Sequence, residues 1–127
     1  MLSPSTYAFY LALTLAVELP LLAFALGRRC GVRRALLAGL VASGVTHPLL
    51  SYAWPHVIAP VTRERWLVYA ASGEALVVVV EAAILYLVAL RPARGARGRT
   101  TAGLLLDAFV VSLAVNAASV GVGMLTW

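Results

Sequence analysis

The chain has no lysine, one cysteine and only five acidic residues among its 127. Each scarcity removes a class of protein. The single thiol, Cys30, cannot close an internal disulfide and makes no metal motif. No HExxH or Glu-x-x-His pattern occurs, so those helix-borne metal signatures are missing. No Ser-His-Asp order and no Gly-rich nucleophile turn is visible. There is no sustained alternation of apolar and polar residues, which excludes the strands of a membrane barrel. Charged residues make up 12% of the chain, about half the share in an average soluble domain.

Apolar residues fill the space. They form 62% of the chain, against roughly 45–50% in soluble domains, and the mean hydropathy is +0.93. Four runs at about 7–27, 35–54, 66–90 and 101–126 hold most of them. Each is near or above the ~20 residues that carry a helix across a bilayer core. The sequence therefore predicts an all-α integral membrane protein, one domain over residues 1–127, built as a bundle of four antiparallel transmembrane helices. The first run has no arginine before Arg28. It lacks the basic start of a signal peptide and reads as a retained span.

All ten basic residues are arginine, and the net charge is +5. Arg28, Arg29, Arg33 and Arg34 sit in "GRRCGVRR", and Arg91, Arg94, Arg97 and Arg99 in "RPARGARGR". The intervening connection, "AWPHVIAPVTRER", carries Arg63, Glu64 and Arg65. The positive-inside rule places the first and third connections in the cytoplasm of a cell-membrane protein, with both termini on the other side. Trp54, Trp66 and Trp127 fall at the predicted outer ends, where half-polar rings settle. Pro55 and Pro60 read as breaks in an outer loop that also holds His56 as a solvated residue. Arginines in short membrane-hugging loops, without an interleaved aromatic platform, are matched to anionic lipid headgroups and not to nucleic acid. The expected partner is the lipid bilayer, together with further copies of the chain or other membrane subunits, since one small bundle leaves a narrow pathway.

Small residues recur at helical spacing: Ala8, Ala12 and Ala16; Gly39 and Ser43; Ala117 and Gly121; Ser119 and Gly123. Such stripes let helix backbones approach closely in lipid.

The acids stand where a simple scaffold has little use for them. Glu18, Glu74, Glu81 and Asp107 all fall inside predicted spans. A charged residue at mid-membrane costs about 2.5–3.5 kcal/mol even on lenient insertion scales. Glu74 and Glu81 are seven residues apart, so they share a helix face, ~10 Å apart along the axis. Polar stripes on the other helices run through Tyr7, Thr14 and Glu18; through Ser43, His47 and Ser51; and through Ser112, Asn116 and Ser119. Converging, they predict a buried cation- or proton-binding site of Glu18, His47, Glu74, Glu81 and Asn116, with His47, Glu74 and Asn116 at one level and Glu81 deeper. Asp107 lies off this face, toward the arginine-rich third connection. Pro20 and Pro48 free the carbonyls of Ala16 and Gly44, which are expected beside Glu18 and His47.

Carboxylates with an imidazole suit a divalent cation such as Zn, Mn or Fe, with Glu18, His47 and Glu74 as ligands. The same groups can relay protons, coupled or not to a solute. They also allow acid–base or metal-assisted chemistry on a lipid-borne substrate, or inter-helix hydrogen bonding in a structural or accessory subunit. Binding or translocation of a cation or protons is the leading expectation.

Overall fold

The computed structural model describes residues 3–62, 66–91 and 100–125, and all regular structure among them is helical. Helix α1 runs Pro4–Cys30. Its start is dictated locally: the Ser3 hydroxyl accepts the Thr6 N–H at 3.1 Å, and Pro4 needs no hydrogen-bond partner in the first turn. It ends at Gly31, whose φ of 86° and ψ of 141° lie in a region that side chains exclude. Gly31 alone separates α1 from α2, Val32–Pro48. The expected first loop thus shrinks to one residue. Arg28 and Arg29 belong to the last turn of α1, where cations suit the helix dipole.

After α2 comes a π-helical stretch, π1, Leu49–Ala53, and then α3, Trp54–Thr62. Pro48 cannot donate to the α ladder, and the chain answers with a wider turn. The expected break at Trp54 is therefore absent. The helix continues from Val32 to Ile58 as one candidate span, Pro55 and Pro60 lie within α3, and His56 is an exposed helical residue. Helix α4, Trp66–Leu85, runs into a second π-helical stretch, π2, Tyr86–Leu90. Helix α5 is Thr101–Leu125. The predicted loops of Arg63, Glu64 and Arg65 and of Arg94, Arg97 and Arg99 lie outside the described residues, as does Trp127.

Four helices, Pro4–Cys30, Val32–Ile58, Ala70–Leu90 and Thr101–Leu125, are long and apolar enough to cross a membrane. Polarity is inverted relative to a soluble domain. Phe24 is 88% exposed and Leu106 63%, while Glu18, Ser43, Thr46, Glu81, Ser112 and Asn116 are buried. That arrangement suits hydrocarbon outside and hydrogen-bonded polar groups inside. This is a four-helix membrane protein with buried glutamates.

The helices form a ring in which α1 borders α2 and α5, and α4 borders the same two. Pairings show neighbours running in opposite directions. Tyr7 meets His47 and Tyr52 while Glu18 meets Ser43, and Arg34 meets Val88 while Thr46 meets Glu81. The α1–α2 contact is close. A β-carbon on Gly39 would lie 2.6 Å from Leu22 Cδ1 and 2.8 Å from Leu19 Cδ2. Ala35, Ala38, Gly39, Ala42, Ser43 and Thr46 make the buried small-residue face of α2. By contrast, Ala8, Ala12 and Ala16, expected to seat a neighbouring helix, are exposed, as are Ala117 and Gly121.

The two halves of the bundle differ. Around Gly31, Leu22, Leu26, Ala35, Ala38, Leu85, Ala89, Leu90 and Ala108 pack into an apolar core. This end carries the described arginines. Arg29 pairs with Asp107 at 2.8 Å, which ties α5 to the last turn of α1; the third connection, expected beside Asp107, lies outside the described residues. Arg34 Nε donates to the Val88 carbonyl at 2.6 Å, and its Nη2 to that of Arg91 at 3.4 Å. One guanidinium thereby serves main-chain oxygens left over at the end of π2.

Candidate functional site

The opposite half of the bundle encloses a cleft of about 380 Å³. It extends from the level of Tyr7, Ser51 and Gly123 inward to Glu18, Thr46, Glu81 and Asn116. Glu18, His47, Glu74, Glu81 and Asn116, one or two from each spanning helix, all line it. The seven-residue spacing of Glu74 and Glu81 does what helical geometry requires, and both carboxyls reach the same space.

They form two tiers. In the deep tier Glu18 is 2% exposed, Glu81 5% and Asn116 6%, so each needs partners inside the protein. The Ser43 hydroxyl donates to Glu18 Oε2 at 2.8 Å, and Ser119 is a second hydrogen-bonding neighbour of Glu18. Glu81 is held from two sides. Thr46 Oγ1 lies 2.9 Å from its Oε1, while the Asn116 amide donates to Oε2 and Ser112 Oγ stands 3.4 Å from the same oxygen. Asn116 is thus level with Glu81 and deeper than the expected level with Glu74. The upper tier holds Glu74 and His47, both half-buried. The Tyr7 ring meets the His47 ring edge-on at 6.1 Å. One cleft collects all five residues.

Among the described residues, no group of three His, Cys, Asp or Glu side chains is placed to hold a metal ion. Glu18, His47 and Glu74 share the cleft without forming the ligand set expected for Zn, Mn or Fe. The freed carbonyls also fall elsewhere than expected: Ala16 and Gly44 both lie on exposed helix faces. Pro48 acts instead through π1, which follows it and brings Leu50 and Ser51 to the cleft.

A hydroxyl has one proton to give. Thr46 Oγ1 has two acceptors in reach, Glu81 Oε1 and, at 3.0 Å, its own-helix Ala42 carbonyl. Ser112 Oγ likewise faces Glu81 Oε2 and, at 3.1 Å, the Val78 carbonyl. With Glu81 ionised, both hydroxyls can turn to the carboxylate. With Glu81 protonated, they can turn to the carbonyls, and the acid proton can go to Thr46 Oγ1. Every buried side-chain nitrogen and oxygen among the described residues has a partner, and both charge states keep it so.

Thr46 is the residue that sequence reasoning missed. Its signal was present: it lies three residues after Ser43, on the same helix face. Tyr10 also lines the cleft.

No protein-family model, curated protein or solved structure matches the chain.

Proposed function

We propose that this membrane protein binds protons, or a cation in exchange for them, at the glutamates of the cleft, and that this binding serves translocation across the cell membrane. The observation that carries the reading is the double set of acceptors around Glu81. A purely structural acid needs one satisfied state; here Thr46 and Ser112 each have an alternative acceptor for the moment when the carboxyl gains or loses a proton. Glu74, higher in the same cleft, stands between Glu81 and the cleft's outer end and serves as the entry group. The arginine distribution supports an orientation in which that end faces away from the cytoplasm.

The test is infrared difference spectroscopy on the reconstituted protein during a pH titration. The wild type should show a carboxylic C=O band that grows on acidification. Glu81→Gln should lack a component of it, and Thr46→Val should shift that component. If no carboxyl band titrates over the range in which the protein stays folded, the proposal fails. For translocation, liposomes with a trapped pH dye should equilibrate an imposed gradient faster with wild type than with the Glu74→Gln/Glu81→Gln double variant.

A structural or accessory subunit is the second reading. Its support is the exposed stripe of Ala8, Ala12 and Ala16, which offers a close seat for a helix of another chain. It requires that Glu81→Gln assemble and act as wild type does.

A further inference from the structure

A second hollow, about 480 Å³, lies between α4 and α5. Ala75, Val78, Val79, Phe109, Leu113 and Ala117 line it. Val79, Phe109 and Leu113 are among the exposed large hydrophobics, 42–58% accessible, so the groove lies on the lipid-facing surface. Glu74, Asn116 and Val120 line both this groove and the polar cleft. An apolar trough on the lipid side therefore shares one wall with an acidic chamber. Asn116 is tied to Glu81. Glu74 and Val120 are the side chains of that wall outside the Glu81 network.

We infer that the protein binds a single-chain amphiphilic cation, its ammonium or other cationic head in the cleft beside Glu74 and its hydrocarbon tail in the α4–α5 groove. The inference rests on the reading of the cleft as the functional site and names a ligand class for it.

Charge decides the sign of the head. Glu18, Glu74 and Glu81 line the cleft with His47. The described arginines are elsewhere: Arg29 is bonded to Asp107, and Arg34 to main-chain oxygens at the end of π2. An anionic head would meet carboxyls, with no arginine among the described residues lining the cleft. A zwitterionic phospholipid head would bring its phosphate into the same field. A cation gains from the carboxyls. The groove decides the tail, because it offers apolar side chains and almost no polar group beyond the shared wall. Cleft and groove each have the volume of a small-molecule site.

The test uses the full chain in nanodiscs of zwitterionic lipid, with empty nanodiscs to subtract partitioning. Radiolabelled dodecyltrimethylammonium is the probe and tetramethylammonium the head-only competitor. Wild type should bind the probe saturably. Glu74→Gln should weaken both compounds by roughly tenfold or more, as the loss of one charge pair in a partly buried site implies. Ala117→Trp fills the groove from an exposed position; it should weaken the dodecyl compound to the level of the head alone and leave tetramethylammonium unchanged. Displacement by dodecyl sulfate or dodecyl maltoside as effective as by unlabelled probe overturns the proposal. So does wild-type affinity in both variants. The carboxyl band measured in the same nanodiscs separates the two readings. Normal titration without saturable probe binding removes the amphiphile alone; loss of both removes the site.

Discussion

The side-chain amide of Asn116 on α5 donates to the carboxyl of Glu81 on α4, and Thr46 on α2 meets that carboxyl's other oxygen. Three helices are thereby joined at one acid. Asn116→Ala should lower stability by about 1 kcal/mol, within the range that inter-helix hydrogen bonds contribute in membranes. Glu81→Gln, which keeps the shape, should lose less, while Glu81→Ala should lose more than either. Denaturation in mixed micelles would rank them. An unchanged midpoint for Glu81→Ala would mean that the network does not join the helices.

Two glycines on α2 should behave in opposite ways. Gly39→Ala places a β-carbon against Leu19 and Leu22 of α1, and overpacking of this kind costs about 1–3 kcal/mol. Gly44 has nothing within 4 Å of the corresponding position. Gly44→Ala should be neutral or stabilising by up to about 1 kcal/mol. Thermal midpoints of the two variants, measured side by side in one detergent, should fall on opposite sides of or at the wild-type value.

Gly31 should admit no substitute. Its ψ of 141° lies outside the left-handed helical region, so asparagine has no advantage over alanine there. Gly31→Ala and Gly31→Asn should each cost about 1–3 kcal/mol. Rescue by asparagine alone would indicate a different backbone at the turn.

Arg34→Lys should fail to replace Arg34. One ammonium is a compact point charge, whereas the guanidinium reaches the carbonyls of Val88 and Arg91 from two nitrogens. Amide hydrogen exchange should accelerate at residues 88–91 in both Arg34→Lys and Arg34→Ala. Protection equal to wild type in the lysine variant would show that charge alone suffices.

Much of this architecture is legible in the residues themselves. Apolar runs longer than a bilayer core, interrupted at arginine clusters, specify the four helices, and the 3.6-residue period puts Glu18, Ser43, Glu74, Glu81 and Ser112 on inward faces. What is not legible depends on places where helices stop being ideal. Pro48 reads as freeing the Gly44 carbonyl within a span, and Pro55 and Pro60 as breaks in a loop; in the fold π1 absorbs the hydrogen bond lost at Pro48 and the helix runs on to Thr62. Depth counted along straight, equal helices sets Asn116 beside Glu74, whereas the packing of α5 on α4 sets it beside Glu81. Asp107 finds its cation on α1, at Arg29, because a one-residue turn holds that arginine inside a helix. No local pattern in the chain reports such a pairing.

The apolar core beneath the cleft has a kinetic consequence. Leu22, Leu26, Leu85 and Leu90, each at most 8% exposed, fill the half of the bundle beyond Glu81. An ion in packed hydrocarbon side chains meets a desolvation barrier that no thermal fluctuation of single side chains removes. On the proposed translocation, passage must wait for the helices to shift as bodies, on the microsecond-to-millisecond scale or slower. Flux should saturate with solute concentration and rise steeply with temperature, and planar bilayers containing the protein should show no unitary current steps.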